Sequence, residues 1–403
     1  MKNYVIVGTG VRIYGMFVCG LKSRLGTDIR ISGVYDVNRK RCEFYQKEIE
    51  GLRIYSDFDL MLDSEKPDAV IVGTIDSVHH EYVVRALDKG YDVICEKPLT
   101  NTYEGAKAIR EAEKRSGRLV RVTFNCRFMP TFAKLKELVK SGAIGKIYSV
   151  NYNYCLNRWH GGDYFKRWHR EMKNSQGMLL HKSTHHFDIV NWLLEDEPFT
   201  VSAMGNRVYY GNPEKSYAER CSRCERQNEC QSYKSQSAPL DQALYFDCES
   251  EDGYIRDKCA FLPDTDIYDN MSVSVTYRGG AILSYSLNLF SMREGYDLTL
   301  TGEGGVILVS CYQTGVGEKV EIRIMNRENE IKTVNFEHGA GTHSGGDRRL
   351  LDMIFSEESK DDTLNQLADS FDGISSAIIG IGANESIKRG VTVNVGEMLD
   401  SLR

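Results

Sequence analysis

Short apolar runs alternate with amphipathic stretches through the first third of the chain. The apolar runs are "YVIVG", "RISGVYD", "DAVIVGT", "YDVICEKP" and "LVRVTF", and helical patterns over 14–25, 39–49, 79–89 and 102–116 separate them. This rhythm predicts βαβ units on a parallel sheet. It stops near 124–130, so the expected division is a parallel-sheet domain over 1–124 and a second domain over 125–403. From about Gly145 the apolar positions fall in longer β-rich segments such as "KIYSVNYNY", "MSVSVTYRGGAILSYSLNLF", "YDLTLTGEGGVILV" and "VEIRIM", with turn signals such as Arg278-Gly279-Gly280. These predict a large, mostly antiparallel open sheet with one face to cover. Helices are expected over 177–194, ended by Pro198, and near 347–356 and 366–388. The polar, irregular segment 211–268 reads as an insertion or lid. The fold class is α/β, an N-terminal Rossmann-type parallel sheet followed by a C-terminal α+β domain.

Composition narrows the function classes. The chain has 403 residues, 41% of them hydrophobic, enough for two cores, and a net charge of −6 without any basic run. That charge balance lacks the footprint of a nucleic-acid binder. No apolar stretch approaches the roughly 20 residues of a membrane span, and the start "MKNYVIVGTG" has no signal-peptide pattern, so a cytoplasmic protein is expected. Most of the eleven cysteines are scattered singly, which suits free thiols in a reducing compartment.

The turn "VIVGTGVRIYGM" follows the first strand directly and leads into a helix. In that context glycines let the backbone approach a pyrophosphate and the helix end stabilises its charge. Gly8, Gly10, Val11 and Arg12 are the expected contacts, although the third glycine comes late, at Gly15. Asp36 ends the second strand, where a carboxylate would hold a ribose 2′-hydroxyl and repel a 2′-phosphate. NAD is therefore favoured over NADP, with Arg39 close enough to weaken the preference.

Four segments, the glycine turn, "GTIDSVHHEYVVRAL", "VICEKPLT" and "NCRFMPTFAKLKELVKSGAIGKI", resemble in order and spacing the Gfo/Idh/MocA family of NAD(P)-dependent oxidoreductases, and the resemblance runs on through "GMLLHKSTHHFDIVNWLL". It implies a Rossmann domain, a C-terminal domain that carries the substrate and often a subunit interface, and chemistry on sugars, cyclitols or their derivatives. A homo-oligomer is implied too. Thr74, His79 and Glu96 are then cofactor contacts, and Arg127 lies on the substrate side. Lys97, in the E-K-P match with Glu96 and Pro98, contacts both the substrate hydroxyl and the nicotinamide side. Independently, Lys97 sits past the end of a strand, where open α/β sheets bind ligands.

On a continuous helix His181, His185, Asp188 and Trp192 would share one stripe, opposite Leu180, Phe187, Val190 and Leu194. The resemblance makes His185, with Asp188 in an H-x-x-D match, the acid/base for the hydroxyl proton; an imidazole pKa near working pH suits that task. Where many relatives have an aspartate, this chain has His181, which supplies no negative charge to orient His185. His181, His185 and Asp188 could instead offer ligands to zinc. His186 points off the stripe and is expected to pack.

Upstream, "NRWHGGDYFKRWHRE" gathers Trp159, His160, Tyr164 and Trp168, suited to a sugar ring or equally to an oligomer contact. His343, in "GTHSGGD", either reaches the cleft or faces solvent, and Asp347 is expected to cap the helix that follows. In "RCSRCERQNEC", Cys221, Cys224 and Cys230 could hold a structural zinc with Cys259, or less readily Cys248, as the fourth ligand; free thiols are the alternative. The expected activity is hydride transfer between NAD and a hydroxyl of a sugar, cyclitol or glycoside. The alternative is redox-neutral cleavage through transient oxidation, elimination and hydride return.

Overall fold

The apolar runs of the first third become the strands β1 (Lys2–Val7), β2 (Ile29–Tyr35), β3 (Arg53–Ile54), β4 (Ala69–Val72), β5 (Asp92–Cys95) and β6 (Val120–Val122). In the computed structural model, which describes all residues except 217, 234–237, 313–318, 329, 338–341 and 357–360, they lie parallel in the order β3-β2-β1-β4-β5-β6. The side chains of Val5, Val7, Val70, Val72 and Val93 are fully buried, as strands covered on both faces require. The strand order reverses between β1 and β4, the place where sheets of this kind open a ligand crevice. Gly8 sits there with φ +90°, and a Cβ on it would stand 2.6 Å from the backbone of Gly73 and Thr74. Only glycine fits.

The helix expected over 14–25 is interrupted. Three α-helical residues, Val11–Ile13, pass into a π-helical turn at Tyr14–Cys19. Its wider turn buries Tyr14, Met16, Phe17 and Val18 together. A broad apolar face is needed because this segment lies between the parallel sheet and a helix from the far end of the chain, Gly346–Ile354, whose Leu350 and Leu351 join the same core cluster. The late glycine, Gly15, packs against nothing. Close helix-to-strand approach is given instead by Gly73, where any Cβ would overlap Ile13.

The second sheet has nine strands. These are β7 (Ile147–Asn157), β8 (Pro198–Asn206), β9 (Asn270–Tyr277), β10 (Ile282–Ser291), β11 (Gly295–Gly302), β12 (Gly305–Tyr312), β13 (Lys319–Asn326), β14 (Ile331–Glu337) and β16 (Val393–Asn394), in the order β14-β13-β12-β11-β7-β10-β9-β8-β16. The β7 and β10 ladder is parallel and the others are antiparallel. Along β9 the side chains of Met271, Val273 and Val275 point inward while Ser272 and Ser274 face out. The helices Thr184–Leu194 and Ser370–Arg389 cover the inward face. Between β14 and β16 the chain returns to the first sheet, adding β15 (Ala368–Asp369) antiparallel to β6. No helix among the described residues is long and apolar enough to cross a membrane.

Two sequence expectations are overturned here. The helix over 177–194 is broken into Met178–His181 and Thr184–Leu194. Ser183 causes the break: its amide bonds the Met178 carbonyl at 2.9 Å, its hydroxyl bonds the same carbonyl at 3.1 Å, and the hydroxyl also meets Tyr285 Oη at 2.9 Å. Asp347 does not cap its helix, whose N-cap is Gly345 without a side-chain bond.

Asp188 and Arg127, both expected at the site, are instead a buried structural pair. Arg127 Nε and Nη2 donate to the Asp188 carboxylate at 2.9 and 2.6 Å, and its remaining nitrogen bonds Asn365 O and Asp372. Burial alone would depress the guanidinium pKa, and the Asp188 and Asp372 carboxylates more than reverse it. Since removing Asp188 leaves the buried guanidinium with only the exposed Asp372 carboxylate as its anion, Asp188→Ala should lower the unfolding free energy by about 3–5 kcal/mol. Chemical denaturation measures this, and a loss under about 1 kcal/mol would contradict the pairing.

Candidate active site

The end of β4, the end of β5 and the broken helix meet at the switch point. Asp76 begins a short 3₁₀ turn after β4, and Lys97 follows β5. Asp76 Oδ2 and His181 Nδ1 are 2.6 Å apart, both buried, and Lys97 Nζ donates to the His181 carbonyl at 3.0 Å. A carboxylate on Nδ1 fixes the tautomer that leaves a lone pair on Nε2. The charge missing from the helix at position 181 is thus supplied across the cleft, by a residue that sequence reasoning passed over. Its signal was available: a carboxylate immediately after a strand at the switch point.

Electrostatics follow from burial. Desolvation pushes Asp76 well above the usual carboxylate range, partly opposed by Lys97. Desolvation, with Lys97, His169 and Arg167 nearby, holds His181 well below an ordinary histidine, so it is neutral at working pH. Lys97 is lowered to about 8 by burial, against the pull of Asp76 and Glu96. His185 is also held low by burial and by Lys97 and Lys182. Its Nδ1 is buried with no hydrogen-bond partner among the described residues, and its ring lies 6.0 Å from Phe124 and 6.2 Å from His343. Nothing orients it as Asp76 orients His181.

The other expected residues divide. Tyr164 and Trp168 lie in edge contact with His181, each with ring centroids 5.7 Å from it. His160 joins them, stacked on Tyr164 at 5.5 Å and bonded to Glu294 at 2.8 Å. Trp159 does not; it is 56% exposed. His169 was missed: it is buried, stacked on Trp168 and 4.2 Å from His181. His186 packs as expected, on Tyr154 and Tyr285 Oη. His343 is carried toward His185 by a turn with φ +50° and bonds Asp347 at 3.3 Å.

Of the expected cofactor contacts, several side chains are committed elsewhere. Arg12 binds Glu96 at 2.9 Å and Asp347 at 2.8 and 3.0 Å, so neither Arg12 nor Glu96 offers its charge freely. Asp347 accepts from Asn125 as well. His79 is locked between Pro98 O (2.8 Å) and Thr74 O (3.1 Å), a scaffold for the Lys97 segment. Arg39 pairs outward with Glu43. Asp36 remains well placed: it accepts from Thr9 N at 2.7 Å, Thr9 Oγ1 at 2.8 Å and Asn38 N at 2.8 Å, leaving about one of its roughly four lone pairs for a ribose hydroxyl.

The insertion reaches this turn. Its helical segment Pro239–Phe246 buries Leu244 in the first domain's core and places Tyr245 Oη 3.0 Å from the Val11 amide, over the glycine turn. Arg41 Nε bonds Leu244 O at 2.9 Å and Asn38 Nδ2 bonds Cys248 O at 3.0 Å. A Cβ on Gly10 would meet only that phenol oxygen, at 3.5 Å. An N–H donor at the turn with a polar oxygen before it fits a dinucleotide pyrophosphate. The anion would replace the phenol there.

The possible metal ligands divide. His181 and Asp188 turn to Asp76 and Arg127. Cys221, Cys224, Cys230 and Cys259 line one pocket beside Lys166 and Phe261, whereas the carbonyl of Cys248 is bonded on the glycine-turn side. Among the described residues no group of three or more His, Cys, Asp or Glu is arranged to hold a metal ion.

Residues 2–124 match the NAD-binding Rossmann-fold model of the GFO_IDH_MocA oxidoreductase family, and 136–395 match that family's C-terminal alpha/beta model. The chain belongs to the Gfo/Idh/MocA oxidoreductase family. One relative within it is YteT of Bacillus subtilis (strain 168), named an oxidoreductase, 34% identical over 99% of each chain. Inositol 2-dehydrogenase 2 of Saccharopolyspora erythraea is 32% identical over 43% of this chain and 49% of its own length. The fold of an oxidoreductase from Thermotoga maritima superposes with a TM-score of 0.67 at 20% identity, covering 98% of this chain and 99% of that one. A Gfo/Idh/MocA member with Tyr245 over its glycine turn must move that segment to load or release a dinucleotide. Tyr245→Ala should speed binding of the dinucleotide by about threefold to tenfold, the worth of the one hydrogen bond that must open, in stopped-flow fluorescence. Unchanged rates would contradict it.

Proposed function

We propose that the protein is an NAD-dependent dehydrogenase oxidising a hydroxyl of a sugar or cyclitol, with His181, oriented by Asp76, as the base. The 2.6 Å contact between Asp76 and His181 carries this reading. Bound NAD supplies the hydride acceptor. Lys97 holds the hydroxyl oxygen with its ammonium, and His181 Nε2 takes the hydroxyl proton as the carbon is oxidised. His185 lines the same cleft and contacts the substrate without an orienting partner. The buried walls around His169 and Tyr164 exclude water from the reacting carbon. Asp36 favours NAD over NADP. A relative named inositol 2-dehydrogenase supports the hydroxyl-oxidising reading.

Redox-neutral elimination is the second reading. It is favoured by two imidazoles in one cleft, His181 and His185, since elimination needs both a base and an acid, and by the Tyr245 segment, which would slow loss of the dinucleotide between half-reactions. Following reduced-nicotinamide absorbance and aglycone release together separates the two: net reduction supports the dehydrogenase, release without net reduction supports elimination, and silence on both sinks each.

The pH profile tests the roles. His181 is already neutral well below pH 6.5, whereas the Lys97 ammonium is lost as pH rises through about 8. Asp76, raised by burial, must stay ionised to accept from His181 Nδ1, so kcat/KM should fall on the acid side as Asp76 takes a proton and fall again above about pH 8 as Lys97 loses one. Lys97→Arg should remove that alkaline fall. Asp76→Ala should lower kcat by about 100-fold or more, the range of general-base catalysis, in steady-state assays. An undiminished kcat would dismiss His181 as the base.

A further inference from the structure

Among the described residues, every cation around the cleft has an anionic or carbonyl partner except one. Arg12 is matched by Glu96 and Asp347, Arg167 by Asp163 at 3.0 Å, and Lys97 by the His181 carbonyl. Lys182, next to His181 in the break of the helix, is partly buried, yet its ammonium makes no hydrogen bond and no ion pair among the described residues; it stands 5.4 Å from the centre of the Tyr154 ring. An ammonium has three donors, and at this half-buried position none is taken by a described protein group, so they are free for a ligand. The nearby Glu294 is already engaged by His160 at 2.8 Å.

The position of this charge is set by the fold. Lys182 lies close enough to act electrostatically on Lys97, His181 and His185 alike. Burial opposes its charge, and the Glu294 carboxylate nearby favours it.

We propose that the site takes a sugar bearing a carboxylate, a uronate or an aldonate, and that Lys182 pairs with that carboxylate while Lys97 and His181 address a hydroxyl. The hydroxyl chemistry rests on the function proposed above; the carboxylate contact does not. A carboxylate fits better than a phosphate because the Glu294 carboxylate already stands near the ammonium, and a phosphate monoester would bring about −1.5 to −2 against it.

Calorimetric titration of the NAD-loaded protein with D-glucuronate against D-glucose, and D-galacturonate against D-galactose, compares sugars that differ only at C6. At least one uronate should bind about tenfold or more tighter than its neutral partner, as a charge-assisted hydrogen bond allows, and the advantage should shrink as salt rises. In Lys182→Met the uronate-to-neutral ratio should fall to about one, and Lys182→Arg should keep part of it. Equal affinities in the unaltered protein, no detectable uronate binding, a ratio unmoved by Lys182→Met, or tighter binding of D-glucose 6-phosphate than of D-glucuronate would each overturn the proposal. Uronate binding without hydride transfer would instead count against the dehydrogenase reading alone.

Discussion

The contact between Asp76 and His181 joins the two halves of the molecule at their seam. A carboxylate and an imidazole, both withdrawn from water, are tolerable there only because each answers the other and Lys97 adds a positive charge alongside. Separating the halves at this point would leave a buried carboxylate without its partner. The two halves are thus tied to each other at the candidate site. The break at Ser183 serves the same end: it swings the His181 turn away from the line of the following helix, so His181 meets Asp76 while His185 faces Phe124 and His343.

Around this contact the glycine turn is tied to distant parts of the chain. Arg12 links it to Glu96 on one side and to Asp347 on the other, and Asp347 gathers Asn125 and His343. Residues near the start, the first third and the far end of the chain thus share one polar network beside the crevice. The insertion closes the opposite flank through Tyr245, Leu244 and the Cys248 carbonyl. Charged groups that read singly as ligand contacts are in this way consumed in fixing the shape of the pocket. Among the described residues, Lys182 is left without such a partner.

Much of the fold was legible because it is written in local patterns. Alternation of apolar runs with helical stretches marked the strands of the parallel sheet, and period-two alternation marked segments such as β9. Gly8 announced a turn that admits no side chain, and the E-K-P segment put Lys97 at a strand end. The failures at the site share one cause. Asp76 and His181 are 105 positions apart, Arg127 and Asp188 are 61 apart, and Val11 and Tyr245 are 234 apart. Periodicity carries no information about which charges meet across such separations. Arg127 therefore read as a substrate contact and proved to be a strut.

The sequence by itself determined the two-layered plan: which runs become strands, where glycine must stand, and which titratable residues crowd near the crevice. Those outcomes depend on steric and hydrophobic rules acting over a few residues. Tertiary structure alone decided which of those residues are spent on one another and which remain available. Partner choice between charges depends on distance and desolvation in the folded state, and both arise only once the two sheets have closed on the seam.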